Sequence, residues 1–199
     1  KEYGTEKLIY SASSSAYGNQ KIFPLKENFP ARPLNPYGLQ KYIGEEYCRI
    51  FAEIYGLKTV SLRYFNVYGP GMSDNGSYPA VFVVFLNQIK KGKPITIFGD
   101  GKQTRSFTHV MDVVRANILA MKSKKVGKGE ILNICSSKHY SVNEIAKMIG
   151  GGAVYLSERK GEIKKSFGDN NLAKKLLEWE PKVDFKKGVE ELKKIYLPA

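Results

Sequence analysis

The amino-acid sequence predicts an α/β fold with parallel strands, and the order of its segments is the main reason. Strand-forming residues at 7–12 and 59–65 flank a long segment with helical spacing between Pro36 and Gly56. Because a strand–helix–strand unit crosses over in the right-handed sense, the two strands are expected to lie parallel in one sheet. The apolar content of 42% is sufficient for a core around such a sheet.

The helix over residues 36–55 has clear boundary signals. Asn35 can cap its first turn, Pro36 suits the first helical position, and Gly56 can end the helix. The apolar residues of the helix are spaced for one buried face, which consists of Ile43, Tyr47, Ile50, Phe51 and Ile54.

Tyr37 and Lys41 stand one turn apart on this helix and on the same side of it. An ammonium group beside a phenol favours the phenolate, which lowers the tyrosine pKa from about 10 towards neutrality. Tyr37 is therefore a candidate general base. Taken alone, the spacing also fits an ordinary amphipathic pairing.

Two polar turns are predicted at the carboxyl edge of the sheet, where open α/β folds bind ligands. The first strand breaks into the serine run 13–15, and the second ends at Asn66. These hydroxyl and amide groups are candidates for ligand binding. An ordinary serine-rich turn and a turn-forming asparagine are the alternatives.

The remaining segments extend the α/β pattern. Further helices are predicted at 79–92, 111–122, 141–149 and 186–196, and further strands at 95–98 and 130–135. Ser141 and Glu144 resemble a capping box. Residues 19–34 contain three prolines and predict an irregular connection.

Composition restricts the class of protein. No apolar run reaches the roughly 18 residues of a membrane span, and the chain has no signal-peptide pattern, so a cytoplasmic protein without a membrane partner is expected. Cys48 and Cys135 lie in segments predicted to be buried and have neither disulfide nor metal spacing.

The net charge is +13, but the lysines are dispersed without interleaved aromatic residues. This dispersed pattern favours the interpretation that the lysines form a solvated surface. Attraction of nucleotide diphosphates and nucleic-acid binding are the less favoured alternatives.

Six motifs occur in one order along the chain. They are the serine run with Tyr17-Gly18, Tyr37-x-x-x-Lys41, Arg63 to Pro70, Gly99 to Phe107, Arg159 to Glu162, and Trp179-Glu180-Pro181. With these motifs in register, the chain resembles the extended short-chain dehydrogenase/reductase family, and within it the nucleotide-sugar epimerases of the UDP-glucose 4-epimerase type. The resemblance covers nearly the whole chain.

The resemblance implies a fold in two parts. Residues 1–66 and about 129–150 would form the C-terminal part of a Rossmann-like parallel sheet, whose first strands are absent, and would carry the Tyr37 helix. Residues 67–128 and 151–199 would form a small α/β domain that binds the nucleotide sugar.

The resemblance also implies NAD as cofactor and epimerisation at C4 of a nucleotide sugar through a 4-keto intermediate. Tyr37 would remove the proton of the sugar hydroxyl while hydride passes to the nicotinamide. Lys41 would bind the nicotinamide ribose, and Ser13 would hydrogen-bond the reacting oxygen. UDP-glucose and UDP-galactose, or the N-acetylated pair, would be the substrates. A decarboxylase or reductase acting on a nucleotide sugar, or a non-catalytic binding protein, are the alternatives.

Five further positions match residues that bind the nucleotide in this family. Asn66 would contact the diphosphate, and Arg105 and Arg159 would grip its phosphates with their forked donors. Phe98 would flank the uracil ring, and Glu162 would contact the nucleotide ribose. For both arginines, a surface ion pair is the alternative.

One departure from the family pattern narrows the reaction. Ser14 and Ser15 occupy positions where related dehydratases carry an Asp-Glu pair, so dehydration is not expected. His109 is expected to be structural, and with only two histidines in the chain a histidine metal site is not expected.

The sequence contains no Gly-x-x-Gly-x-x-Gly turn, on which the family binds the NAD pyrophosphate. The expected partner is therefore an N-terminal NAD-binding half, on the same chain or on a separate one; an inactive binding module is the third possibility.

Relatives commonly pair through two helices, one of them the Tyr37 helix, which implies a homodimer. The segment alone is expected to be inactive and to associate, because strand 7–12 would be a bare sheet edge.

Overall fold

The computed structural model of the protein describes residues 3–72, 80–159 and 163–197. The α-helices are α1 (Pro36–Tyr55), α2 (Val81–Lys90), α3 (Val110–Lys122), α4 (Val142–Ile149), α5 (Asn171–Leu177) and α6 (Phe185–Tyr196). The strands are β1 (Lys7–Ser13), β2 (Lys58–Tyr64), β3 (Val67–Tyr68), β4 (Ile95–Phe98), β5 (Thr104–Arg105), β6 (Thr108–His109), β7 (Lys128–Ile134), β8 (Tyr140–Ser141), β9 (Ala153–Leu156) and β10 (Lys165–Ser166). A 3₁₀ turn, Ser14–Tyr17, follows β1 directly.

The main sheet is parallel and contains β1, β2 and β7, with β2 in the middle. Ala12 is aligned with Arg63, and Arg63 with Asn133, so these three positions form one row across the sheet. This arrangement confirms the predicted parallel α/β fold. It also brings the carboxyl ends of β1 and β2, and therefore Ser13 and Asn66, to the same edge of the sheet.

The predicted boundaries of α1 are confirmed. The Asn35 side chain accepts a hydrogen bond from the Gly38 N–H at 2.8 Å, and Pro36 occupies the first turn. At the other end Gly56 adopts a left-handed conformation with φ of 64°, which glycine reaches without the steric cost of a Cβ atom.

The predicted buried face of α1 is wrong. Four of its residues are between 40% and 69% exposed and Ile50 is only partly buried; the four are Ile43, Tyr47, Phe51 and Ile54. The buried residues of the helix are instead Gly38, Glu45 and Cys48.

The surface of the sheet explains this inversion. Thr59 of β2 donates a hydrogen bond to the Cys48 carbonyl at 2.7 Å, and Arg63 binds Glu45. Buried polar groups require hydrogen-bonding partners, so the helix that covers this side of β2 must supply them. α1 therefore presents polar and small residues to the sheet and turns its apolar stripe outward.

Two apolar clusters hold the rest of the fold together. On the other side of the main sheet, Val60 and Leu62 of β2 pack with residues of α3 and α5 and with Trp179. A second cluster joins α2, α4 and α6 around Tyr68 and Phe82. The two-domain division stays a prediction. Helices α3 and α5 fall in the predicted nucleotide-sugar-binding domain, but they pack here against the main sheet, which falls in the predicted Rossmann-like part.

Short strand pairs complete the architecture. β3 pairs with β6, β4 pairs with β9, and β5 lies between β10 and β8. The predicted helices and strands are observed with small shifts of their ends, and residues 19–34 contain no helix or extended strand pairing beyond a bridge between Leu25 and Gly168. The capping box of α4, formed by Ser141 and Glu144, is also confirmed.

Cys48 and Cys135 are buried and form no disulfide, as expected. Within the described part of the chain, none of the helices has the length and apolar character that crossing a membrane requires. The same residues contain no cluster of three or more His, Cys, Asp or Glu side chains suited to a metal ion.

Candidate active site

The serine run at the end of β1 forms a tight, internally bonded turn. The Ser13 hydroxyl oxygen accepts hydrogen bonds from the Ser15 N–H at 3.2 Å and from the Ser15 hydroxyl at 2.9 Å, and so caps the 3₁₀ turn. Gly18 ends the turn with φ of 63°, at a point where any side chain would overlap the Arg32 carbonyl oxygen. These contacts hold Ser13 at the carboxyl edge of the sheet.

Tyr37 and Lys41 lie side by side, as the sequence predicts. The Lys41 Nζ atom is 5.8 Å from the centre of the Tyr37 ring and 5.5 Å from that of Tyr10. It donates a hydrogen bond of 2.9 Å to the Ser11 carbonyl oxygen in β1. Tyr37 is 48% exposed, so its phenol is accessible from solvent.

The first turn of α1 contacts the serine turn. A Cβ atom at Gly38 would lie 2.8 Å from the Ser15 carbonyl oxygen, so only a glycine allows this approach. Together with the hydrogen bond from Lys41 to Ser11, this contact brings the Tyr37 end of α1 against the end of β1. Three predicted residues, Ser13, Tyr37 and Lys41, are thus gathered at one edge of the sheet.

Asn66 occupies a strained turn directly after β2. Its φ is 34°, an uncommon value for a residue with a side chain, and asparagine tolerates it better than most. Its side-chain amide donates a hydrogen bond of 2.8 Å to the Ser106 carbonyl oxygen. The Ser106 hydroxyl in turn donates to the Ser136 carbonyl oxygen, so Asn66 and Ser106 join the end of β2 to the segment beside Arg105.

The two predicted phosphate-binding arginines have different environments. Arg105 donates to its neighbour's carbonyl oxygen, that of Thr104, at 2.9 Å, and lies 3.4 Å from the Lys164 carbonyl oxygen. The guanidinium carbon of Arg159 lies 3.8 Å from the centre of the Phe98 ring, at the end of β4. The structure thus brings Arg159 and Phe98 into contact, while Glu162 lies outside the described residues.

His109 has the structural surroundings expected of it. It is buried, its Nδ1 atom accepts the Met111 N–H at 3.2 Å to cap α3, and its Nε2 atom lies 3.2 Å from a Glu191 carboxylate oxygen.

Residues to which the sequence interpretation assigned no role form a buried polar group beneath α1. Arg63 and Glu45 make an ion pair with hydrogen bonds of 2.8 and 2.6 Å. The Arg63 guanidinium lies 4.4 Å from the centre of the Tyr17 ring, and the Tyr17 hydroxyl donates to Asn133 at 2.7 Å. Burial raises the pKa of Tyr17 to about 12, so its hydroxyl stays protonated. One signal could have revealed the group: Arg63 is a charged residue, the sixth of seven in a strand whose interior is buried.

The parallel sheet, the Tyr37-x-x-x-Lys41 helix and the serine at the end of β1 together define a protein of the extended short-chain dehydrogenase/reductase class. The chain belongs to the NAD dependent epimerase/dehydratase family, whose model matches residues 1–135.

Several similar proteins are UDP-sugar 4-epimerases. The UDP-N-acetylglucosamine 4-epimerase of Methanobrevibacter ruminantium M1, solved with UDP-N-acetylmuramic acid, is 36% identical with a TM-score of 0.89; the alignment covers 96% of this chain and 63% of that chain. The UDP-glucose 4-epimerase of Thermotoga maritima, solved with UDP-glucose, is 40% identical with a TM-score of 0.88, over 98% of this chain and 64% of that chain. The UDP-glucuronate 4-epimerase of Thermodesulfobacterium geofontis is 35% identical over 96% of this chain and 59% of its own length.

The chain spans about three fifths of the length of the curated relatives it matches. Similarity of this extent shows the fold and the family.

Proposed function

We propose that the complete protein containing this chain epimerises a nucleotide sugar at C4 through a transient 4-keto sugar. The observation that carries the proposal is the side-by-side placement of Tyr37 and Lys41 at the carboxyl edge of the sheet, next to Ser13. The family membership and the UDP-sugar 4-epimerases among the similar proteins support the same reaction. The UDP-glucose and UDP-galactose pair is the first substrate to test.

Each of the three residues has a role suited to its position. Tyr37 has an accessible phenol and removes the proton of the sugar hydroxyl, then returns it when the hydroxyl is restored. Ser13 donates a hydrogen bond to the reacting oxygen. Lys41, which the Ser11 carbonyl holds at the sheet edge, keeps a positive charge beside the phenol.

The chain fits one part of an NAD site. Tyr37 and Lys41 are the residues that would hold the nicotinamide end, whereas the sequence has no glycine-rich turn for the pyrophosphate. When bound, NAD accepts a hydride from the sugar and gives it back. The pyrophosphate would then be bound by an N-terminal half that completes the sheet next to β1, on the same chain or on a separate one.

The nucleotide part of the substrate is assigned to the second group of residues. Phe98 flanks the uracil ring, Arg105 and Arg159 bind the phosphates, and Asn66 lies next to the diphosphate. Glu162, the residue assigned to the ribose, lies outside the described residues. The contact between Arg159 and Phe98 supports this assignment, because it brings two of the assigned residues together.

A homodimer is proposed as the assembled form. The outward stripe of α1 exposes large apolar side chains, among them Ile43, Tyr47 and Ile54, on a helix of twenty residues. Exposed apolar patches of this kind mark protein–protein contact sites.

Substitution of Tyr37 by Phe in the complete protein tests the catalytic assignment. UDP-galactose is supplied and UDP-glucose is measured. Tyr37→Phe is expected to reduce turnover at least about 100-fold, because proton transfer by a positioned group contributes that much or more. UDP affinity should change little, since the phenol is not assigned to the nucleotide.

Tyr55→Phe is the matched control, because Tyr55 lies on the same helix and is exposed. It should retain full turnover. Full turnover in Tyr37→Phe would show that the assigned base is wrong. If the unsubstituted protein binds UDP-galactose and forms a product other than UDP-glucose, a decarboxylase or reductase is indicated; binding without any product indicates a non-catalytic binding protein.

A further inference from the structure

Arg63 and Glu45 form an ion pair that is almost completely shielded from water. Their side chains are 2% and 0% exposed, and two parallel hydrogen bonds of 2.8 and 2.6 Å join guanidinium to carboxylate. Such forked pairs define both the distance and the relative orientation of the groups they join.

Stability alone does not explain this pair. Removing two charges from water is costly, and replacing a buried ion pair with apolar residues of similar volume is often neutral or stabilising. The Nη1 atom of Arg63 is also buried without a hydrogen-bonding partner, which adds to the cost. What the pair provides instead is a defined geometry between the two elements it connects.

One of those elements is the helix that carries the proposed base. Tyr37, Lys41 and Glu45 follow one another at intervals of four residues, so they lie along one side of α1. Arg63 lies on β2, the central strand of the main sheet. The pair therefore joins the helix of Tyr37 directly to the central strand of the sheet.

The other side of Arg63 contacts the segment that follows Ser13. The Tyr17 ring, which lies 4.4 Å from the guanidinium carbon, belongs to the last residue of the 3₁₀ turn that Ser13 caps. The Tyr17 hydroxyl donates to Asn133, which is aligned with Arg63 in the neighbouring strand. One guanidinium thus contacts both the helix of Tyr37 and the turn of Ser13.

We propose that Arg63 and Glu45 are positioning residues that hold the Tyr37 helix in register with the Ser13 turn for proton transfer. This inference rests on the proposed function, since it assigns the pair a role in the same reaction. Neither side chain touches substrate; both act through the segments they connect.

The test replaces both charges together, because a single substitution would leave one buried charge unpaired and could prevent folding. The double variant Glu45→Met/Arg63→Met of the complete protein keeps comparable volume. It is expected to fold, with a urea unfolding midpoint close to that of the unsubstituted protein. Its kcat should fall about tenfold to hundredfold, because small misplacement of reacting groups has effects of this size. Its KM should change little, because the nucleotide-binding residues lie elsewhere.

The matched control is Glu46→Met/Arg49→Met, which removes an exposed ion pair of 2.9 Å from the same helix. Its kcat should be unchanged. A crystal structure of the Glu45→Met/Arg63→Met variant gives the second readout: α1 should be displaced relative to β1 by more than about 0.5 Å, the tolerance of a catalytic geometry.

The two readouts separate the possible failures. An unchanged kcat in a folded double variant, or α1 at its original position, overturns the positioning role. If the double variant does not fold, Arg63→Lys, which keeps the charge but loses the fork, takes its place with the same readouts. If the unsubstituted protein has no epimerase activity, the proposed function fails. The displacement of α1 in the double variant then decides by itself whether the ion pair positions the helix.

Discussion

At the scale of single residues, the two arginines proposed to bind the diphosphate, Arg105 and Arg159, have different surroundings. Arg105 lies against the backbone carbonyl oxygens of Thr104 and Lys164, which orient it. Arg159 is exposed and stacks on Phe98. A uracil ring that uses the same face of Phe98 would have to displace Arg159, and at an exposed site a cation–π contact is worth only about 0.5–1 kcal/mol.

Arg105→Ala and Arg159→Ala in the complete protein are each expected to weaken UDP binding by about 1.5–3 kcal/mol, the range for a hydrogen bond to a charged group. The loss for Arg159 should lie towards the lower end, because its guanidinium gives up the stacking contact when it turns to a phosphate. Isothermal titration with UDP measures both affinities.

Arg49→Ala serves as the control for this titration, since Arg49 pairs with Glu46 and Glu53 on the exposed side of α1. It should leave the affinity for UDP unchanged. Unaltered affinity in both Arg105→Ala and Arg159→Ala would assign these arginines to the protein surface.

At the scale of secondary-structure elements, α4 depends on its capping box. The Ser141 hydroxyl accepts the Glu144 N–H at 3.2 Å, while the Glu144 carboxylate accepts the Ser141 N–H at 2.7 Å. The Glu144 carboxylate accepts hydrogen bonds from both the N–H and the hydroxyl of Ser141; these favour its charged form and hold the pKa of Glu144 below its ordinary value. The buried face of α4, with Ile145 and Ile149, is part of the second apolar cluster, so the cap supports the packing of α2 and α6 as well.

Removing the cap should destabilise the protein by a predictable amount. Ser141→Ala is expected to lower the free energy of unfolding by about 0.5–2 kcal/mol at neutral pH. Ser137→Ala, at an exposed position outside the helix, should have no effect. Urea denaturation of the two variants measures the difference, and equal unfolding midpoints would contradict the role of the cap.

The same cap predicts a dependence on pH. Because the folded-state pKa of Glu144 is depressed, its contribution is fully present above the ordinary value of 4.5 and is lost as pH falls through the folded value. Glu144→Gln should therefore lose stability relative to the unsubstituted protein above pH 4.5, with the difference shrinking at lower pH. A difference that grows on acidification would contradict this sign.

At the scale of the whole molecule, the main sheet has an exposed edge at β1. Within the described residues β1 pairs with β2 only, which leaves its other side open for pairing with a further strand. The apolar stripe of α1 is a second surface that favours association. The 199-residue chain purified alone is therefore expected to be inactive and to associate or precipitate, with a mass by light scattering above the 22.4 kDa of one chain.

A variant separates the two surfaces. Ile43→Lys with Ile54→Lys introduces charges on the stripe of α1 and leaves β1 unchanged. Association that persists in this variant identifies the β1 edge as the cause, and association that disappears identifies α1. A stable, active monomer of the unsubstituted chain would contradict the expectation at both surfaces.

The sequence by itself determined the features that depend on local chemistry. The ends of α1 follow from Asn35, Pro36 and Gly56, because caps act within one helical turn. The adjacency of Tyr37 and Lys41 follows from helical geometry, and the parallel sheet follows from the handedness of the crossover.

Only the tertiary structure decided which side of α1 faces the sheet and what lies between them. Helical spacing identifies an apolar stripe, but whether that stripe is buried depends on the surface it meets. Here that surface carries Arg63, whose buried charge must be matched by Glu45, so hydrogen bonding took precedence over the burial of Ile43 and Ile54. The contact between Arg159 and Phe98 likewise joins residues far apart in sequence, and no local pattern specifies their distance.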